Sequence, residues 1–380
     1  MFAAIFLFRK GATMKPIENP VQFPCDAQSS PFFCALSTML LPTLGYSEET
    51  PFYCSPKGTY CVQCGGCGNK STLQKHHLAL YHDYQTLTGV SFGWTWPEVD
   101  GPYQTIPGGG AGWRWPDAFV DSIMAAAGLT WRRLSGKMDR ETIYHAVTGS
   151  IDRGWPVMVR LCEGRDWQVI TGYCGHEIYG LDSHRHTLSD ISRYTGDGLF
   201  VTADWSFEDA IVITGRCAPT VTLADVLDVI IRTLSHPAHA ELEHDLLQRM
   251  ERITPDNAYD TAQWLCHMAG FPIEARWHAA ESLCSEKSTI TRLTDDEAVK
   301  DRLFQLFFNR YIADHNDETH GVCWRIWGLL GAGPQTGYRI LPEAREALLC
   351  SDIQKELKRL FLIVFENDRA VLAGLRGIDL

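Results

Sequence analysis

Between residues 155 and 181 the apolar positions fall in short continuous runs and not at helical spacing. Residues 155–161 are apolar and valine-rich. Residues 167–173 are apolar and β-branched, and residues 177–181 follow a Cys-Gly-His turn. Runs of this length, bounded by turn residues, predict three consecutive strands with tight connections. The residues opening the second strand and closing the third then lie close together on neighbouring strands. Residues 199–200 and 210–214 predict further strands of the same sheet, because Ile211-Val-Ile213 is β-branched. Ahead of the sheet, helical periodicity covers 31–44, ending before Gly45, and 73–87, with His76 and His77 near its start. It also covers 116–128, ended by Gly128, and 138–149.

The pattern changes near Cys217-Ala-Pro-Thr220. From there on it is almost wholly helical. Residues 222–235 carry Leu223, Val226, Leu227, Val229, Ile230, Ile231 and Leu234 as an apolar stripe behind a threonine cap. Further helices are predicted at 240–250, 255–269, 274–284, 295–308 and 342–369, with Trp324 and Trp327 on a buried helix. Arg276, Trp277, His278 and Glu281 read as a mixed helix face suited to an interface. The expected organisation is a frayed start at 1–19, an α+β domain at 20–217 and an all-α domain at 218–380. The second domain is expected to pack on the first or to form a homodimer interface.

Composition narrows the partners. Hydrophobic residues make up 45% and charged residues 21%, as in soluble globular proteins. The net charge of −12 and the lack of a long basic cluster argue against nucleic acid. No apolar stretch reaches the roughly 18 residues of a membrane span. The apolar run at 2–8 is short and precedes its basic residues, the reverse of a secretory signal, and Met14 is a plausible true start. Thirteen cysteines, an odd count, with several inside apolar elements, then suggest reduced thiols and a cytoplasmic setting.

The segment 154–182 keeps Gly154, Pro156, Val157, Gly172, Tyr173, Tyr179 and Asp182 of an approximate G-x-P-V, H-x-x-V-V-x-G-Y, Y-x-x-D pattern. It resembles the C39-peptidase-like branch of the papain-like fold. It is also similar to the N-terminal domain of the butirosin-biosynthesis acyltransferase type, where helices follow such a domain. The front of the chain adds Cys34-Ala-Leu-Ser-Thr opening a helix, Gly45 ending it, and Gly89-Val-Ser-Phe92 after the next helix. The resemblance spans about residues 20 to 217. It implies a papain-like α+β domain, with a helix in front of a mostly antiparallel sheet. The histidine of the pattern is not kept, and Asp166 and Trp167 stand in its place.

The resemblance implies Cys34 as nucleophile, near a helix N-terminus where the dipole and free N–H groups lower a thiol pKa and hold an oxyanion. The other reading is a buried core thiol, since Phe32, Phe33, Leu36 and Met39 flank it. Cys25, in a Pro-Cys-Asp turn, is the second candidate. Asp182 matches the orienting carboxylate of the family, and also suits a turn closing a strand. An aspartate such as Asp166 is a poor base for a thiol at its ordinary pKa near 3.9. His184, two residues past Asp182, could swing in instead. His176 and His186 are the other nearby imidazoles, and all three also read as loop histidines.

Cys54, Cys61, Cys64 and Cys67 fall within 14 residues, with glycines between them. Such spacing can fold four thiolates around a tetrahedral zinc ion, and His76 or His77 could replace one ligand. A loop of unligated thiols, or one disulfide, is the alternative. Trp94, Trp96 and Trp113 flank a glycine-rich loop at 106–113 that lacks the Lys-Ser/Thr of a phosphate loop. With Trp167 they could line a pocket for a peptide or small molecule, or pack in the core.

Three functions follow as expectations. The first, favoured by the missing histidine, is a degenerate papain-like module that binds a peptide or small natural product with weak or no peptidase activity. The second is a thiol-dependent amide hydrolase or acyltransferase using Cys34, which needs a histidine nitrogen within about 4 Å of the sulfur. The third is a zinc-stapled scaffold. No cofactor is required by the first two, and structural zinc is the one cofactor the sequence offers.

Overall fold

The computed structural model describes residues 15–16, 31–50, 71–93, 117–161, 167–182, 199–202, 207–284, 288–313, 321–332 and 340–378. Its strands are β1 (Lys15–Pro16), β2 (Leu129–Ser135), β3 (Val157–Leu161), β4 (Trp167–Cys174), β5 (Glu177–Asp182), β6 (Leu199–Thr202) and β7 (Phe207–Arg216). They make one sheet in the order β2-β7-β3-β4-β5-β6, with β1 against β4. Every pairing is antiparallel. With the surrounding helices this is an α+β architecture. Cys174 pairs with Glu177 across Gly175-His176, and Gly175 takes φ +56°, the left-handed turn conformation that a two-residue hairpin needs.

The edge strand β2 escapes the sequence pattern. Thr130, Arg132 and Arg133 interrupt its apolar positions, and its register against β7 shifts between Thr130 and Trp131. Arg133 nevertheless turns inward, because Asp117 accepts from its Nε at 2.5 Å and Asp209 accepts from its Nη1. Charge on an edge strand also blocks pairing with another chain.

Alternation along the strands loads both sheet faces. Val157, Val159, Ile170, Ala210 and Val212 pack on one side with Ile143, Val147 and Ile151 of the helix α4 (Arg140–Asp152). Met158, Trp167, Val169, Ile211 and Ile213 pack on the other side. There they meet α1 (Pro31–Thr43), α2 (Thr72–Leu87) and α3 (Asp117–Ala127).

The later helices are α5 (Leu223–Leu234), α6 (Pro237–Glu251), α7 (Ala258–Met268), α8 (Glu274–Cys284), α9 (Glu297–Phe308), α10 (Val322–Leu329), α11 (Ala344–Leu349) and α12 (Ser351–Arg376). The core beneath the sheet continues past residue 217. It takes in Leu223, Val226, Leu227 and Ile230 of α5, and Ala279, Ala280 and Leu283 of α8. A second apolar core lies wholly among the later helices, around Leu265, Ile326, Leu348, Leu357 and Phe361. No described helix is long and apolar enough to cross a membrane.

The single helix expected at 342–369 is two helices broken at Cys350, whose ψ of 120° is extended. In one straight helix Leu348 and Leu357 would point about 180° apart, nine residues at 100° each. Both are fully buried in the second core, so the chain must bend between them. Gln354 steadies the bend by donating to the carbonyl of Leu348 at 2.8 Å.

Gly89 shows how closely the two regions approach. Its φ is +73°, and a Cβ there would lie 2.6 Å from Thr233 Oγ1 and 2.8 Å from Val229 Cγ1 of α5. Gly89→Ala is therefore expected to destabilise the protein by about 1–3 kcal/mol, from left-handed strain and displaced side chains. A urea midpoint equal to wild type would contradict this.

Candidate thiol site

Cys34 sits in the first turn of α1, which begins on Pro31. Proline suits that position because its missing N–H has no helical partner there anyway. The helix ends in a Schellman motif. Tyr46 N–H donates to Leu41 O at 3.0 Å and Gly45 N–H to Pro42 O at 3.1 Å, with Gly45 at φ +82°. Helix α2 lies beside α1. Ser71 and Gln74 form its capping box, and Glu48 accepts from the N–H of Thr72 at 2.9 Å. A carboxylate at that helix N-terminus is favoured by the macrodipole. These ends fix two helices that are buried along most of their length.

Where they meet, His77 of α2 reaches Cys34. Its Nε2 lies 3.9 Å from the Cys34 Sγ, 3.0 Å from the Cys34 carbonyl oxygen and 3.0 Å from Thr38 Oγ1. A carbonyl oxygen only accepts, so Nε2 must carry the proton. Thr38 Oγ1 itself donates to the same carbonyl at 2.9 Å, which leaves its lone pairs to receive Nε2–H. The imidazole nitrogen that faces the thiol is therefore already a donor and cannot take the thiol proton. The sulfur–nitrogen distance meets the requirement for a thiol–histidine pair, while the tautomer opposes it.

Electrostatics act in the same direction. Cys34 is 3% exposed and His77 0%. Burial pushes the Cys34 thiol well above its ordinary value. It lowers His77 to about 4, with the bond to the Cys34 carbonyl opposing. Both groups are neutral at physiological pH, the reverse of a thiolate–imidazolium pair.

The other expected site residues divide sharply. Trp167 is fully buried, its ring 5.4 Å from that of Phe32 and edge-on to it. The opening of β4 thus abuts the first turn of α1, and Trp167 belongs to the core. Asp182 ends β5 as the register partner of Gln168. Asp166, His184, Trp94, Trp96, Trp113, Cys54, Cys61, Cys64 and Cys67 lie outside the described residues, as do Cys25 and His186. His176 is exposed in the β4–β5 turn, 5.7 Å from the ring of Tyr144.

Sequence reasoning placed Cys34 on its helix but missed His77 as its neighbour. The family pattern directs attention to a strand histidine, whereas His77 comes from a helix. The signal available was a pair of histidines on a helix next in sequence to the cysteine helix. Arg276 and His278, expected on a mixed helix face suited to an interface, are 1% and 5% exposed within this chain. No family model matches the chain, and no curated protein or solved structure matches it either.

Proposed function

We propose that this chain is a papain-like module that has lost thiol catalysis and binds a peptide or small natural product. The observation that carries the reading is the closed Cys34 site: a buried neutral thiol facing an imidazole N–H that is committed to the Cys34 carbonyl and Thr38. The packing of Trp167 on Phe32 supports the papain-like arrangement, since it sets the start of β4 against the cysteine helix. So does the pairing of Asp182 with Gln168, at that same end of the strand. A thiol-dependent hydrolase or acyltransferase is the second reading, favoured by the 3.9 Å approach of His77 to Cys34.

The test compares wild type with Cys34→Ala on a mixed pool of peptides and acyl thioesters, followed by mass spectrometry and tryptophan fluorescence. The expected result is no product and no acyl adduct that depends on Cys34, with a saturable fluorescence change in both proteins. An acyl group recovered on Cys34, or product formed only by wild type, would establish the second reading. No saturable change with any pool would remove the binding role.

A further inference from the structure

A second group of chemistry-bearing side chains lies between α2 and α8, apart from the thiol. His82 comes from α2, and His278 and Glu281 from α8 at i and i+3, the spacing that places two side chains on one helix face. One ligand atom from each lies within 4.8 Å of the other two. Glu281 Oε2 is 2.7 Å from His82 Nδ1 and 3.6 Å from His278 Nδ1. The two imidazoles are stacked, with ring centroids 4.1 Å apart and planes 21° apart. The side chains are 5%, 7% and 10% exposed.

This arrangement lacks the hydrogen bonds that buried polar groups normally make. Among the described residues, His82 Nε2, His278 Nδ1 and Glu281 Oε2 are all buried without a hydrogen-bond partner. The 2.7 Å contact between Glu281 and His82 is close but not aligned as a hydrogen bond. Buried polar atoms are nearly always satisfied, and here two unsatisfied ones, His278 Nδ1 and Glu281 Oε2, lie 3.6 Å apart with His82 Nδ1 beside the same carboxylate oxygen. Asp83, next to His82 in sequence, shows the contrast: Ser282 donates to its Oδ1 at 2.5 Å and the Thr289 N–H to its Oδ2 at 2.6 Å.

We infer that His82, His278 and Glu281 form a binding site for a divalent transition-metal ion, with zinc the best match. Two imidazoles and one carboxylate are a ligand set that zinc accepts, with its fourth position open to water. Bonds of about 2.0–2.2 Å in a tetrahedron set ligand atoms about 3.3–3.6 Å apart. The His278–Glu281 separation of 3.6 Å falls within that range. To complete the tetrahedron the 2.7 Å His82–Glu281 contact must open and one imidazole must turn out of the stack, because an ion lies in the plane of each ring it binds. Burial holds His278 down at about 3 and His82 well below its ordinary value, so both rings are in the neutral form that binds metal. Burial raises Glu281 well above the carboxylate range, so its carboxyl gives up a proton as the ion enters. The ion would tie α2, in the sheet-bearing region, to α8 among the later helices. This site does not depend on the state of Cys34.

The test uses the full chain with Cys54, Cys61, Cys64 and Cys67 all changed to Ser, so that no thiol cluster can contribute. The protein is stripped with chelator and titrated with Zn²⁺, and the bound metal is characterised by X-ray absorption. The expected result is one zinc per chain with nitrogen and oxygen ligands only, including imidazole. In the same background, His278→Asn with Glu281→Gln weakens binding by at least about 100-fold, while His76→Asn leaves it unchanged. Absence of zinc binding, sulfur in the coordination shell, or equal affinity in the double variant would overturn the proposal. If the double variant does not fold, the absorption spectrum of its parent decides: an imidazole-free shell refutes the site.

Discussion

Arg276→Ala is expected to produce the largest loss of stability in this protein, about 3–5 kcal/mol. Arg276 is 1% exposed and Asp368 5%. The guanidinium donates from Nε to both carboxylate oxygens, at 2.8 and 3.0 Å, and from Nη2 to Oδ2 at 2.7 Å. Its other donors reach Pro272 O at 2.7 Å and Phe92 O at 2.9 Å, and Tyr311 donates to Asp368 at 2.7 Å. Phe92 precedes residue 217 and Asp368 lies on α12, so one side chain joins distant parts of the chain. Truncation would leave the buried Asp368 carboxylate without its guanidinium, and take one donor from each of two buried carbonyls. A native domain holds only about 5–15 kcal/mol in total, so much of the variant would be unfolded at modest denaturant. The double variant Arg276→Met with Asp368→Asn removes both charges and keeps an acceptor for Tyr311. It should therefore recover a substantial part of the loss. Urea denaturation of the three proteins reads this directly. A single-variant loss under about 1 kcal/mol would mean the network is not the buried junction described here.

Glu274→Gln is expected to stabilise the protein on the alkaline side and to leave it unchanged near pH 4. Burial raises the Glu274 carboxyl from 4.5 to about 8. Below the unfolded value both states are protonated, and the group makes no difference between them. Between 4.5 and about 8 the unfolded carboxyl ionises while the folded one stays neutral, so stability falls as pH rises through that window. The full rise corresponds to about 4 kcal/mol by pH 8. Glu274 keeps partial exposure to solvent, which reduces the expected gain in the glutamine variant to about 2–3 kcal/mol. Asp83 acts in the same sense over a lower window, from 3.8 to about 6. The histidines act in the opposite sense. His77 and His278 are lowered to about 4 and about 3, so their contribution is complete above pH 6.5 and is lost as pH falls toward those values. Thermal melts from pH 4 to pH 8 should show the two proteins coinciding at the acid end and diverging above it. Parallel curves across the whole range would contradict the account of Glu274.

Much of the fold was legible because the signals were local. The apolar runs at 155–161 and 167–173, the Gly175 turn and the stripe on α5 each state their element directly. The bounds of α8 could be read from sequence to the residue. What was hidden depended on tertiary pairing. Strand β2 is held at the sheet edge by Arg133 and its two aspartates, a charge balance that no window of sequence contains. The break at Cys350 arises because Leu348 and Leu357 must face one core. Helix α8 reads as amphipathic because its polar residues are conspicuous. Yet Ala275, Ala279 and Ala280 let neighbouring helices close around it and take Arg276 and His278 inside. The same limit applied at the thiol. The first-turn position of Cys34 was visible, but its burial, and the carbonyl that commits His77 Nε2, come from the packing of α1 on α2.

The central claim, a closed and unreactive Cys34, is tested most directly by alkylation of the native protein across about pH 5 to 9, with each modified cysteine located by mass spectrometry. Cys217 and Cys350 are exposed free thiols and serve as internal standards. The account predicts that both are labelled with the pH dependence of an ordinary thiol, and that Cys34 is labelled only after unfolding. Labelling of Cys34 ahead of those two, at a pH well below about 8.5, would reveal an accessible thiolate and contradict it.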